Sequence, residues 1–433
     1  MADTTTTDIA LPPGTRFVDT FVIDINGIPR GKRLPAAEFL ASGGHVAFSA
    51  GALVLDAQGN MQGPLGIGTE DGDPDATGET VPGSITPVPW AGAQIAQALL
   101  TMRAGGTPIW FDPRQVLADI VARCHADGLH PVVACELEFY LVERDASGAP
   151  RPPDVRGAGP AASSGHLCLQ DLQANARFLH ALHEALAAQR IAAGTLVSEY
   201  GPGQFEVNLA HGPDPLRAAD EAALLRRATH GVAASMGLRA SFMAKPYAQK
   251  SGSGLHVHVS LLDKARRNRF GAAGGQALLE HAVAGMQTLH AESTAIFAPS
   301  FSAYRRYKPG AFVSAAGSWG ENSRAVAFRI PTGGASSRRI EHRVACADAS
   351  PHLVMAAILA ALHHGITRQL APTPTGPGGV PSNIFTALDA LERSTALAAY
   401  LPPRFPALFV ALKRAETAAL LENIAPAEWD FYL

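Results

Sequence analysis

In Cys135-Glu136-Leu137-Glu138-Phe139-Tyr140, two carboxylates occupy alternate positions of an apolar run that begins at Val132-Val133-Ala134. Alternate residues of a β-strand share a face, so Glu136 and Glu138 point the same way. On an edge strand such a pair is an ordinary charged outer face. Here the flanks read as buried on both sides, and a buried carboxylate needs a paired charge or a cation. The stretch predicts a strand over Pro131–Val142 that carries two acids into an interior.

Three further segments offer similar chemistry. Glu199-Tyr200-Gly201-Pro202-Gly203-Gln204-Phe205-Glu206 sets a Gly-Pro-Gly bend between two acids, which either converge or sit on a solvated turn. Ser251-Gly252-Ser253-Gly254-Leu255-His256-Val257-His258-Val259-Ser260 puts two histidines on one strand face after a glycine-rich loop. One such histidine is usually structural, whereas two beside a loop that permits close approach suit a metal or a phosphate. Arginines cluster downstream at Arg305, Arg306, Arg324, Arg329, Arg338, Arg339 and Arg343, with Glu341 among them. They form either a basic surface or, since apolar residues alternate with them, strands lining an anion-binding cleft.

Outward from these segments the pattern is mixed. Residues 1 to about 14 read as a frayed polar tail. Phe17 to Ile25 is β-rich, Asn26-Gly27 is a favoured two-residue hairpin turn, and Ile28 begins the return strand. Gly, Pro, Asp and Thr between Ala57 and Gly92 predict long loops. Gly105-Gly106, ahead of Asp112-Pro113, marks a boundary near residue 105. Pro113 to Ala126 gathers Val116, Leu117, Ile120 and Val121 on one helical face, and Leu172 to Ile191 repeats that pattern. Ser350-Pro351 reads as N-cap and first residue of a helix running to Gly365, and a last helix spans about Phe405 to Asn423. Strand-like segments at Phe205–Leu209 and Leu255–Leu261 complete an α+β chain: a small β-rich N-terminal domain (15–105) and a larger catalytic domain (106–433).

The bulk numbers exclude several classes. A 433-residue chain with 47% hydrophobic and 17% charged residues has ample core for two domains and is not a disordered one. A formal net charge of −3 gives no electrostatic case for nucleic acid or membrane. Four dispersed cysteines, no leader-like start and no apolar run long enough to span a bilayer predict a cytoplasmic protein. Asp71-Gly72-Asp73-Pro74-Asp75 fails as a calcium loop, with Ala76 at its sixth position and Pro82 at its twelfth, and no P-loop occurs.

In chain order, Asn26-Gly27-Ile28-Pro29-Arg30-Gly31-Lys32, Gly72-Asp73-Pro74-Asp75, Pro87-Val88-Pro89-Trp90, the paired Glu136 and Glu138, Pro202-Gly203-Gln204-Phe205-Glu206, Lys245-Pro246 to Ser260, Tyr304-Arg305-Arg306 to Gly310, Arg329-Ile330-Pro331 and Arg339-Ile340-Glu341 resemble the glutamine synthetase family over almost the whole chain. The resemblance implies an N-terminal β-grasp domain, and a catalytic domain built on a curved antiparallel sheet flanked by helices. It implies two or more Mg²⁺ or Mn²⁺ ions, one set held by Glu138, Glu199 and Glu206 and another by Glu136, His256 and Glu341. His258, Ser260, Arg329 and Arg339 match nucleotide positions. Gly252, Arg306, Arg324 and Arg343 match glutamate positions, with Arg306 and Arg324 also at the phosphoryl group. The implied reaction uses ATP to make a γ-glutamyl phosphate that an amine attacks, in a homo-oligomer of two stacked hexamers with sites between subunits.

Three departures bear on the amine. Phe312 stands where the family's ammonia users carry a Glu after Pro309-Gly310. Phe48-Ser49-Ala50-Gly51 lacks the Asp of their Asp-Gly-Ser-Ser, and Ser251 replaces an Asn. The pattern is similar to the γ-glutamylpolyamine and γ-glutamylmonoamine synthetases, with Ser49, Phe312 and Glu321 as amine-site candidates. Ordinary glutamine synthesis, or a non-catalytic metabolite-binding ring, are the alternatives.

Overall fold

The computed structural model describes residues 9–146, 148–153, 165–308 and 311–424. Residues 1–8 of the expected frayed tail and the Pro309-Gly310 pair lie outside them. The N-terminal sheet consists of β1 (Phe17–Ile23), β2 (Pro29–Pro35), β3 (His45–Ser49), β4 (Asp75–Thr80), β5 (Thr86–Pro87), β6 (Ile95–Ala104) and β7 (Thr107–Pro108). Its order is β2-β1-β6-β4-β3, with β5 and β7 also on β6. Only β1 and β6 run parallel.

The β1–β2 connection is one residue wider than the Asn26-Gly27 reading predicts. Asp24 O accepts from Gly27 N at 2.8 Å and Asp24 N donates to Ile28 O at 3.0 Å, which leaves Ile25-Asn26-Gly27 as the loop. Gly27 takes φ 72°, so this is a turn closed by a left-handed glycine. The buried Asp24 carboxylate selects it, accepting from Asn26 N at 2.9 Å, Ile28 N at 2.8 Å and Arg30 Nε at 2.8 Å. Asn26 then reaches the far end of the chain, donating to Glu416 at 2.8 Å and accepting from Lys413 Nζ. The stretch read as loop between Ala57 and Gly92 contains β4, whose inward residues are Ala76 and Gly78. Side chains that small leave no hydrophobic alternation to read.

Past the Gly105-Gly106 turn, β7 still pairs with β6, so the sheet runs three residues beyond the boundary read from sequence. The first helix of the larger part starts at Asp112, which caps it by accepting from Arg114 N at 2.9 Å and also accepts from Met102 N of β6 at 3.0 Å.

The second sheet holds β8 (His130–Arg144), β9 (Pro150–Arg151), β10 (Ala193–Ser198), β11 (Gln204–Leu209), β12 (Arg239–Ser241), β13 (Leu255–Leu262), β14 (Trp319–Glu321), β15 (Phe328–Ile330) and β16 (Ile340–His342). Its order is β10-β11-β8-β13-β16-β15-β14, antiparallel except between β14 and β15. Behind it pack helices that include α1 (Pro113–Ala126), α2 (Leu169–Ala174), α3 (Ala176–Ala188), α4 (Pro215–Ser235), α5 (Gly275–Thr288), α6 (Pro351–Thr367) and α7 (Phe405–Leu421). The single helix predicted over Leu172–Ile191 is broken at Asn175, whose side chain turns back to Asp171 O at 2.9 Å. The 21-residue α4 has no counterpart in the sequence reading. Half of its buried residues are alanine, which gives weak periodicity, although Asp214-Pro215 is a sound start signal and Asp214 does cap it.

Candidate active site

Strand register assembles the acids that sequence could only group by type. Glu206 of β11 stands opposite Glu138 of β8, Glu136 opposite His256 of β13, His258 opposite Glu341 of β16, and Glu341 opposite Arg329 of β15. Five strands thus present a continuous row of acids, histidines and arginine on one face. On β8 the alternating Cys135, Leu137 and Phe139 are buried on the other.

Contacts within the row divide it in two. His258 Nε2 lies 2.8 Å from one Glu136 oxygen and His256 Nδ1 3.3 Å from the other. Arg329 donates to Glu341 at 2.6 Å, Arg343 donates to its second oxygen, and Arg339 Nε meets His258 Nδ1 at 3.1 Å. Burial alone would raise Glu136 and Glu341. The histidines outweigh it at Glu136, and the histidines with Arg343 outweigh it at Glu341, so both carboxyls lie below the ordinary range. At the other end Glu206 has no ion pair with a lysine or arginine among the described residues, and it accepts from Asn208 Nδ2 at 3.2 Å. Burial, with Glu136, Glu138 and Glu199 nearby, pushes Glu206 up to about 9. Burial and then Glu138 push Glu199 up to about 7. Glu138 accepts from Gly254 N at 2.8 Å and lies 3.8 Å from His256 Nε2.

Buried acids raised by one another are the donor set a hard dication relieves. Ligand atoms of Glu136, Glu206 and His256 lie within 4.8 Å of one another, as do those of Glu136, His258 and Glu341. These groupings differ from the sets implied by the resemblance: Glu136 belongs to both, and Glu138 and Glu199 to neither.

The remaining expected residues fall around this row. Ser260 follows His258 on the same face of β13 and is buried. Arg306 is buried against the Gly252–Gly254 loop, and its donors meet Val344 O at 2.8 Å and Ala345 O at 3.1 Å. Gly252 O accepts from Gln204 Nε2 at 3.1 Å, joining that loop to β11. Arg324 is exposed, with its charge felt at Glu199 and His166. Arg343 ties the row to Phe312, donating to its carbonyl at 3.2 Å.

Phe312 is 57% exposed and stacks on Tyr200, itself 45% exposed, with centroids 5.3 Å apart. Tyr200 stacks in turn on His166 at 4.4 Å, and His166 Nδ1 lies 3.6 Å from Glu199. Glu321 is elsewhere engaged, paired with Arg338 at 2.9 Å on an exposed edge. Ser49 ends β3 in the N-terminal sheet and donates to Asp73.

Sequence reasoning missed His166, Tyr200, Asn208 and His211, whose ring lies 5.6 Å from His258. Asn208 was findable, two residues after Glu206 on a predicted strand. His166 had no local signal.

Residues 111–432 match the glutamine synthetase catalytic domain. The γ-glutamylputrescine synthetase of Escherichia coli is 38% identical, over 97% of this chain and 92% of its own. The glutamate–isopropylamine ligase of a Pseudomonas species is 30% identical over 81% of this chain and 78% of its own. The γ-glutamylethanolamide synthetase of Streptomyces coelicolor is 28% identical over 95% and 92%. Among solved structures, the ADP complex of GmaS superposes with a TM-score of 0.82 at 26% identity, covering 96% of each chain. The sheet and helices described above are the α+β glutamine synthetase fold, and the chain belongs to the glutamine synthetase family.

Proposed function

We propose that this chain joins the γ-carboxylate of L-glutamate to an organic primary amine, a polyamine or small monoamine, using ATP and passing through a γ-glutamyl phosphate. The observation that carries the reading is the acid–histidine–arginine row beside an exposed Phe312–Tyr200–His166 stack. The wall offers an alkyl chain apolar area to pack on, which ammonia cannot use.

Glu136, Glu138, Glu199, Glu206, His256 and Glu341 would hold Mg²⁺ or Mn²⁺. Bound there, the dications supply charge neutralisation along the ATP phosphates and at the transferring phosphoryl group. The chain's own side chains do the rest. Arg339 and His258, already in contact, with Ser260 and Arg329, line the nucleotide side. Arg343 and Arg324 offer guanidinium donors to glutamate and to the phosphoryl oxygens, where charge grows as the bond forms. Arg306 holds the Gly252 loop that faces glutamate. The amine then attacks the acyl phosphate, and phosphate departs. Ser49, Phe312 and Glu321 stay as the amine-site candidates, with Tyr200 and His166 extending the Phe312 wall. Residues 15–105 and 106–433 act as two units within a cytoplasmic homo-oligomer of two hexameric rings.

Phosphate release with ATP, Mg²⁺ and glutamate, compared across ammonia, putrescine, spermidine, ethanolamine and short monoamines, tests this. Turnover with an organic amine and little with ammonia is expected. Turnover with ammonia alone would assign ordinary glutamine synthesis.

A further inference from the structure

A cavity of about 410 Å³ opens between the β1–β2 loop with Ile28-Pro29, Trp90, and Arg226, Arg227 and His230 of α4. It lies behind the catalytic face. Phe139, whose side chain alternates with those of Glu138 and Tyr140 on β8, packs against Phe242 at 5.5 Å, and Phe242 packs against His230 at 5.4 Å. The cavity is therefore separated from the acid row by the sheet itself.

Its wall is cationic and built. Arg227 donates to Asp19 at 2.8 Å and to Gln97 at 2.9 Å, and its guanidinium lies over the rings of Phe21 and Trp90. That fixes it in place with one carboxylate, which Arg33 also shares at 2.6 Å. Arg226 has no carboxylate in contact among the described residues. Among the described residues it donates to Ala349 O at 3.0 Å, and the charges of Asp348 and Asp24 reach it without contact. Burial lowers the pKa of both arginines, a penalty on their charge that an anion in the cavity would offset. Burial, and then Arg226, hold His230 down to about 4, so it is a neutral hydrogen-bonding group there. Trp90 is seated on Gly231 so closely that a Cβ would come within 2.2 Å of its indole nitrogen. The indole is thereby held as a flat apolar wall.

We propose that this cavity binds a small organic anion, a carboxylate or phosphate on a compact apolar body, at a site separate from the catalytic one. Guanidinium groups recognise both anions through paired N–H donors, and Trp90 receives the apolar part. An occupant would bridge the β1–β2 loop and α4, and so couple the N-terminal sheet to the layer supporting β8. It would act as a regulatory ligand.

Trp90 makes the site report on itself. Tryptophan fluorescence of the full chain is titrated with citrate, succinate and inorganic phosphate, against chloride at matched ionic strength, with saturating ADP present to fill the nucleotide site. The expected result is a saturable change with at least one of the three and none with chloride, absent in Trp90→Phe. Arg226→Gln should weaken it about tenfold, the loss of one charge-assisted hydrogen bond. His230→Ala, one helical turn from Arg226 on the same face of α4, should weaken it by a smaller factor, and both variants should keep the wild-type KM for ATP without the anion. A carboxylate response and a phosphate response name the source. No saturable response to any of the three, a response surviving Trp90→Phe, or one unmoved by both Arg226→Gln and His230→Ala would overturn the proposal.

Discussion

The two ends of the acid row are made of the same residue type and behave oppositely. Glu136 and Glu341 are compensated within the chain, by His256 and His258 on one and by Arg329 and Arg343 on the other. Glu199 and Glu206 are raised to about 7 and about 9, by burial first and then by neighbouring carboxylates, Glu138 at Glu199 and Glu136, Glu138 and Glu199 at Glu206. The difference teaches that a buried glutamate in one sheet can be a structural anion or a waiting ligand, and that its neighbours across the ladder decide which. The histidine–arginine end should be ordered before any cation arrives. The glutamate end should depend on one.

The largest effect that can break this comparison comes from removing divalent metal. Chelation should abolish turnover, and restoring Mg²⁺ should restore it and raise Tm. If the uncompensated end is the needy one, Glu206→Gln should lose most of that Mg²⁺-dependent rise. A rise of equal size in Glu206→Gln and wild type would equate the two ends.

Next in size are two isosteric substitutions in metal-free protein at neutral pH. Glu341→Gln leaves Arg329 and Arg343 buried without their carboxylate and should cost about 3 kcal/mol by denaturant unfolding. Glu206 is already protonated there, so Glu206→Gln should change stability by less than about 1 kcal/mol. Equal costs would remove the distinction.

Acid stability sharpens the comparison by locating a loss outside both ends. Burial holds His290 down to about 4. The unfolded chain takes up its proton below about 6.5 while the folded one does not, so stability falls as pH drops from about 6.5 toward 4. This single group accounts for on the order of 1–3 kcal/mol, alongside His211 and His230, which burial also holds down to about 4, so His290→Gln should reduce the pH dependence of Tm across that window by its share rather than abolish it.

The smallest effect concerns the aromatic wall beside the glutamate end. Phe312→Ala removes one stacked pair, about 0.5–1.5 kcal/mol, and should raise the KM for the amine several-fold while leaving that for ATP alone. An unchanged amine KM would detach Phe312 from the acceptor.

Much of the architecture was legible because periodicity carried it. The strand around Glu136 and Glu138, the His256–His258 strand and the Pro113, Pro351 and Phe405 helices lie within a few residues of where alternation and caps put them. What was not legible was what the chain makes by pairing distant segments. β4 buries alanine and glycine, and half of the residues α4 buries are alanine, which leaves a weak apolar signature. The turn at Asn26-Gly27 was misread by one residue because Asp24, outside the dipeptide, chooses the loop. In the site, residue types were readable but partners were not. The separation of Glu206 from Glu341 in chemical state comes from ladder register, and the stack on Phe312 comes from His166 and Tyr200, far away in sequence.

The tie between Asn26 and Lys413 has a consequence for biosynthesis. These residues are 387 positions apart, so the hairpin tip emerges long before its lysine is made. At ordinary translation rates that interval is roughly 20 to 80 seconds. Through it, the tip can bond to Leu53 and Leu55 but has neither Lys413 nor Glu416. A nascent chain stalled before α7 would carry the hairpin without that latch, so the contact forms only once the chain is nearly finished.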